Sequence, residues 1–196
     1  MKKFLLAGVL ILSISLVAGC SSMSSILNNI EKAASKETAP VHIESADGVF
    51  SLEMPSSWEQ PKAGTLNDVA SLEAMNGAKE MYFMAIMEPK ADFDMDLEGY
   101  RDVVVNYNQD AYGASFGDPV STTVGGYDAY SYEFHVTSSD NINMYMRLSV
   151  IETDNYYGQL YTWTLKSMED DNKATLTSII ETFKEVSAAD AAVTAN

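Results

Sequence analysis

The stretch Tyr127-Asp-Ala-Tyr-Ser-Tyr-Glu-Phe-His-Val-Thr137 decides the fold. Tyr130, Tyr132, Phe134 and Val136 fall on one side, Ser131, Glu133 and His135 on the other, the period-two pattern of a half-buried strand. Ile142 to Thr153 repeats it, with Ile142, Met144, Met146, Leu148 and Val150 inward. The short link between the two runs makes them a hairpin. Matching the inward sets places Glu133 opposite Arg147 on the outer face. Asp154-Asn155 is a turn signal, and Tyr156 to Lys166 reads as a third long strand.

Upstream, Val120 to Val124 forms a short strand before Gly125-Gly126. Asp96 is placed to cap a helix running to about Tyr112, with Leu97, Tyr100, Val104, Tyr107 and Ala111 as its buried stripe and Gly113 as its stop. Val49 to Met54 is a strand that Pro55 ends. The bend Pro55-Ser56-Ser57-Trp58 folds a large indole back over the sheet, so Trp58 is expected to be buried. Val69 to Met75 and Met81 to Met87 are further strands about an Asn76-Gly77 turn. A last helix starts at Asp170 or Asp171, its stripe Leu176, Ile179, Ile180 and Phe183. Successive strands on hairpin-length links make an antiparallel sheet, and two amphipathic helices must cover it. The class is α+β: a single-domain α/β/α sandwich over residues 42–187, with a central antiparallel sheet, amphipathic helices on its faces and a flexible tail at 188–196.

This order of elements resembles PsbP-like domains over about Val49 to Val186. The residues that carry the likeness are Pro55-x-x-Trp58, Gly125-Gly126 and the helix end Ile179-Ile180-x-x-Phe183. The family includes PsbP, the DcrB-type envelope proteins and bacterial lipoproteins. The resemblance implies an α/β/α sandwich serving mostly as an assembly or accessory module, and none of its motifs is catalytic.

The N-terminus sets the expected address. Lys2 and Lys3 precede an apolar run from Phe4 to Ala18, too short for a comfortable transmembrane helix of ~20 residues. It ends in Leu16-Val17-Ala18-Gly19-Cys20, which holds the only cysteine and resembles the bacterial lipoprotein signal. That resemblance implies residues 1–19 as a cleaved signal peptide and a lipid, diacylglyceryl or palmitate, on Cys20. The alternatives are an uncleaved membrane helix and an ordinary cleaved signal. Residues 20–41, rich in Ser, Asn, Ala, Lys and Glu, read as a tether in which Ile26, Leu27 and Ile30 could line a short helix before Pro40. The expected location is the extracytoplasmic face of the cell membrane, with the membrane itself a partner through that lipid. With no second cysteine there is no disulfide, so the domain must be stable on its core.

The chain has 196 residues, 46% hydrophobic and 10% aromatic, enough for a core. Its formal charge is −16, or −18 without Lys2 and Lys3. So acidic a surface repels nucleic acid and anionic lipid headgroups, which excludes a nucleic-acid partner and leaves the lipid as the anchor.

Candidate chemistry is sparse. Asp92, Asp94, Asp96 and Glu98 alternate like a calcium loop, but Leu97 stands where an EF-hand needs glycine and Val103 where it needs glutamate. Acids at a helix N-terminus explain them. The two histidines, His42 and His135, lack any H-x-x-x-H partner, so neither a metal nor another cofactor is expected. No G-x-S-x-G or phosphate loop is present, and the chain is expected not to be an enzyme. Tyr145, Tyr156, Tyr157, Tyr161 and Trp163 crowd the late strands. They read either as core or as a stacking surface. The adjacent Tyr156 and Tyr157 point to opposite faces, which leaves Tyr145, Tyr156 and Tyr157 as candidate binding residues for a glycan or an envelope protein. The expectation is an extracytoplasmic, non-catalytic binding or accessory module of the bacterial cell envelope. The alternatives are an envelope hydrolase with a site near His135 and a purely structural spacer.

Overall fold

A computed structural model describes residues 40–186. Cys20, the signal, the tether before Pro40 and the tail from Ser187 lie outside the described residues. The elements run β1 (Val41–Glu44), β2 (Phe50–Met54), β3 (Leu72–Asn76), β4 (Met81–Pro89), α1 (Leu97–Tyr112), β5 (Val120–Val124), β6 (Tyr127–Thr137), β7 (Asn143–Glu152), β8 (Tyr156–Leu165), α2 (Glu169–Ile180) and β9 (Lys184–Glu185). A six-stranded antiparallel sheet has the order β3-β4-β8-β7-β6-β5, and a small sheet has the order β1-β2-β9. The fold is the expected α+β sandwich with one addition: the small sheet shares one face of the large sheet with α2, while α1 covers the other.

Each face of the large sheet has its own core. Against α1 lie Met84, Tyr100, Val104, Tyr132, Phe134, Met146, Leu148 and Trp163. Against α2 and the small sheet lie Phe50, Leu52, Met54, Trp58, Phe83, Ile151, Leu176, Ile179, Ile180 and Phe183. The β6–β7 register puts Glu133 directly opposite Arg147, as the alternation requires. Their face is not an open outer face, however. α2 lies over it, and Ser131 and Ser149 beside the pair are buried and hydrogen-bonded to each other at 2.8 Å. Glu133 pairs with Lys173 of α2, and Arg147 donates to Thr177 at 3.2 Å. A double-mutant cycle on Glu133 and Arg147 should therefore show coupling of no more than about 0–1 kcal/mol. The exposed Glu133–Lys173 pair should couple by about 0–1 kcal/mol. A larger Glu133–Arg147 coupling would mean that Arg147 turns to the carboxylate in solution.

α1 starts where Asp96 accepts a hydrogen bond from the Gly99 N–H at 2.9 Å and stops at Gly113 in the left-handed region, φ 61°. Its buried side corrects the expected stripe. Leu97, Tyr100 and Val104 are inside, but the next inward residue is Asn108, while Tyr107 is half-buried and Ala111 exposed. Asn108 can be buried because its amide donates to the Val104 carbonyl and to the Tyr161 hydroxyl at 2.8 and 3.0 Å. The expected Asn76-Gly77 two-residue turn is instead a short 3-10 turn, Gly77–Lys79, with Glu80 at φ 51°.

Candidate binding groove

The late aromatic residues go into the core on both faces. Tyr157 is 4% exposed, stacks on Tyr100 at 4.8 Å and donates its hydroxyl to the Met95 carbonyl at 2.6 Å. Its neighbour Tyr156 does point to the opposite face, where it is half-buried and meets Phe50 edge-on at 4.9 Å. Tyr145 is 1% exposed beneath α2, with the Lys173 ammonium 5.4 Å from its ring. The three tyrosines thus do not form a stacking surface. The reason is that both faces of the sheet are covered, so residues beyond the capacity of one face still find a core.

Trp58 is 4% exposed, and the turn carrying it closes through its N–H and the Pro55 carbonyl at 2.9 Å, with Pro55 itself exposed. His135 is exposed at the margin of the β6 face that α2 covers, hydrogen-bonded to Glu169 at the start of α2 at 2.7 Å, its ring 5.9 Å from that of Tyr145. No hydroxyl is bonded to its ring among the described residues, so a nucleophile–histidine pair is not assembled there. His42 sits between Glu53 and Glu44 at 2.7 and 2.8 Å on the exposed hairpin, and these carboxylates, Glu53 foremost, raise its pKa above the ordinary histidine value. Among the described residues no three His, Cys, Asp or Glu side chains gather in a group able to hold a metal ion.

A concave surface lies elsewhere. α1 runs along β8: Tyr100 stacks on Tyr157, and Asn108 bonds Tyr161. Eight helical residues rise ~12 Å and four strand residues ~13 Å, so helix and strand keep step. The helix ends at Tyr112. A groove of about 240 Å³ is lined by Glu80, Tyr82, Ile142, Met144, Trp163, Thr164 and Leu165. The register makes it: Tyr82 pairs with Trp163, Trp163 with Met146, and Leu165 with Met144. Tyr82 lies flat on Trp163, centroids 5.3 Å apart and planes 14° apart.

Two contacts hold the rim. The Tyr82 hydroxyl donates to Glu80 at 2.7 Å, and burial, with the Glu80 carboxylate second, pushes that phenol well above its ordinary pKa. The groove therefore presents a neutral phenol and one carboxylate on an apolar floor. Behind it, Asn172 of α2 donates to the Lys79 carbonyl and to the Thr164 hydroxyl, both at 2.8 Å, which fixes the turn that carries Glu80. Such a site can seat an apolar or aromatic group and orient it with one polar contact. Sequence reasoning counted Trp163 among the crowded aromatics but missed Tyr82, Ile142 and Met144, which come together only at the strand ends.

No family model matches the chain, and no curated protein matches it. Solved structures do. Cyanobacterial PsbP (CyanoP) from Synechocystis sp. PCC 6803 superposes with a TM-score of 0.55 at 13% identity, covering 87% of this chain and 99% of its own. LpqN of Mycobacterium tuberculosis, described as involved in cell envelope biogenesis, gives 0.54 at 14% identity, covering 81% and 95%. The Ran-binding protein Mog1p of Saccharomyces cerevisiae gives 0.52 at 10%, covering 76% and 97%. At these identities the likeness is one of fold, and the fold is PsbP-like.

Proposed function

We propose that this PsbP-like chain is a lipid-anchored, extracytoplasmic binding or accessory module of the bacterial cell envelope, and that it does no chemistry of its own. The groove over Tyr82 and Trp163 carries this reading: an aromatic floor with a single polar rim contact suits recognition and lacks the parts of a catalytic site. A pure spacer has no need of it. The LpqN description and the Mog1p description, a cell-envelope role and the binding of a partner protein, are in keeping with such a module. No helix of the described residues is long and apolar enough to cross a membrane. In this proposal attachment is through the acyl chains expected on Cys20, two of which hold stably where one does not.

Titrating the soluble domain with muropeptides and envelope-protein extracts tests the groove. Tyr82→Ala strips the aromatic cover from Trp163 and is expected to weaken binding about tenfold or more, ~1.4 kcal/mol. Undiminished binding would put the recognition surface elsewhere, and no binding to any fraction would favour the spacer. The anchor has its own test. Cys20→Ala is expected to abolish labelling by a fatty-acid probe and to release the protein from the detergent phase; a variant that still labels would refute lipidation at Cys20.

A further inference from the structure

We infer that β5 is a self-pairing edge, through which two copies of this chain join their six-stranded sheets into one. The two outer strands of the large sheet are treated differently. β3 is partly capped: Glu59 and Met75 exchange backbone hydrogen bonds of 2.8 and 2.9 Å, so the outward groups of Met75 are already used. β5 pairs only with β6 among the described residues. The Gly125-Gly126 turn, with φ of 61° and 94°, is a two-residue hairpin of the kind whose flanking residues form the closing hydrogen-bonded pair, here Val124 and Tyr127. Val124, Thr122 and Val120 therefore aim their backbone groups at β6. Ser121 and Thr123 aim theirs outward. The one contact on those outward groups is a long 3.4 Å approach of the Thr122 hydroxyl to the Thr123 carbonyl.

The strand lacks the usual protections of an edge. Val-Ser-Thr-Thr-Val contains no charge, no proline and no glycine, and Val120 is 64% exposed, the most exposed of the large hydrophobic side chains described. The chain as a whole carries 28 acidic side chains, so two copies can meet only where acids are absent. A second copy fits for a further reason. About a two-fold axis at Thr122 the backbone is self-complementary: Val120 comes level with Val124, which is already buried in its own core, Thr122 faces Thr122, and Ser121 and Thr123 exchange both backbone bonds on either side. At the ends, Asp118 of one copy comes beside the turn of the other, where Lys184 donates to the Gly125 carbonyl and Glu181 accepts from the Gly125 N–H. Lys184 there offsets one of the two carboxylates, Asp118 and Glu181. Five residues span only ~17 Å, well short of a standard interface of ~1,600 Å², so the pair is transient in solution and populated when copies are crowded on one surface.

The test uses the full-length protein in its membranes. At the axis the Thr122 residues form a non-hydrogen-bonded pair with Cα atoms ~4.5 Å apart, within disulfide reach. Mild oxidation of Thr122→Cys should give a reducible covalent dimer. Wild type, with Cys20 alone, and Ser178→Cys on the exposed side of α2 should not. Ser121→Pro removes an N–H that β6 does not use, and Val120→Asp alters a side chain already in solvent. Either change, added to Thr122→Cys, should cut the dimer about tenfold. Crosslinking no greater than that of Ser178→Cys, or crosslinking that survives both changes, would overturn the inference.

Discussion

Gly125→Ala is expected to cost the domain about 3 kcal/mol or more, whereas Gly126→Ala, one residue further, should cost only about 1–2 kcal/mol. Both glycines have positive φ, 61° and 94°, so an added side chain strains both. The difference is space. A Cβ on Gly126 meets nothing within 4 Å, but one on Gly125 would lie 2.2 Å from the Phe183 carbonyl oxygen. That oxygen is backbone and cannot swing aside. Phe183 is fully buried and stacked 5.9 Å from Phe50, and the next residue, Lys184, begins β9. Relief of the clash must therefore push the end of the α2 segment off the small sheet. Chemical denaturation of the two variants measures the gap. Equal losses would show that the hairpin and the Phe183 strand part easily and that the contact contributes nothing.

The same contact marks where sequence reading stops. The long strands β6, β7 and β8, the helix α1 between Asp96 and Gly113, and the β6–β7 register all follow from periodicity and punctuation in the chain. β9 is two residues long, and β1 is the four-residue run Val-His-Ile-Glu. Neither is long enough to carry a pattern, and both exist because β2 offers its edges. Missing them meant missing part of a layer. The burial of Ser131, Ser149, Thr162 and Thr164 on a face that reads as polar comes from α2, whose Asn172 and Thr177 reach down to that face. Asn108 escaped for a related reason: an apolar stripe cannot point to a buried amide whose warrant is a hydroxyl on another strand. The groove was the least legible part. Its walls come from the ends of β4, β7 and β8, which only the sheet register brings together.

Trp58→Ala is expected to destabilise by about 3–5 kcal/mol, the range for truncating a large buried aromatic residue. The indole is 4% exposed in the core between the two sheets. The chain around it is fixed at several points: the Pro55 carbonyl accepts from the Trp58 N–H, Ser57 accepts from the Asn76 amide at 3.1 Å, and Glu59 bridges to Met75. Little of this can collapse into the space left behind, which argues for the upper part of the range. The indole Nε1 adds a second, sharper expectation, because it is buried without a hydrogen-bond partner among the described residues. A buried donor left unpaired costs about 1–3 kcal/mol. Trp58→Phe removes that donor while keeping most of the ring, so the smaller ring's lost packing is offset and the net cost should stay under about 1.5 kcal/mol. Paired melts of the two variants give the answer. A phenylalanine variant as unstable as the alanine one would mean that the N–H is satisfied in solution and that shape alone cannot hold the turn closed.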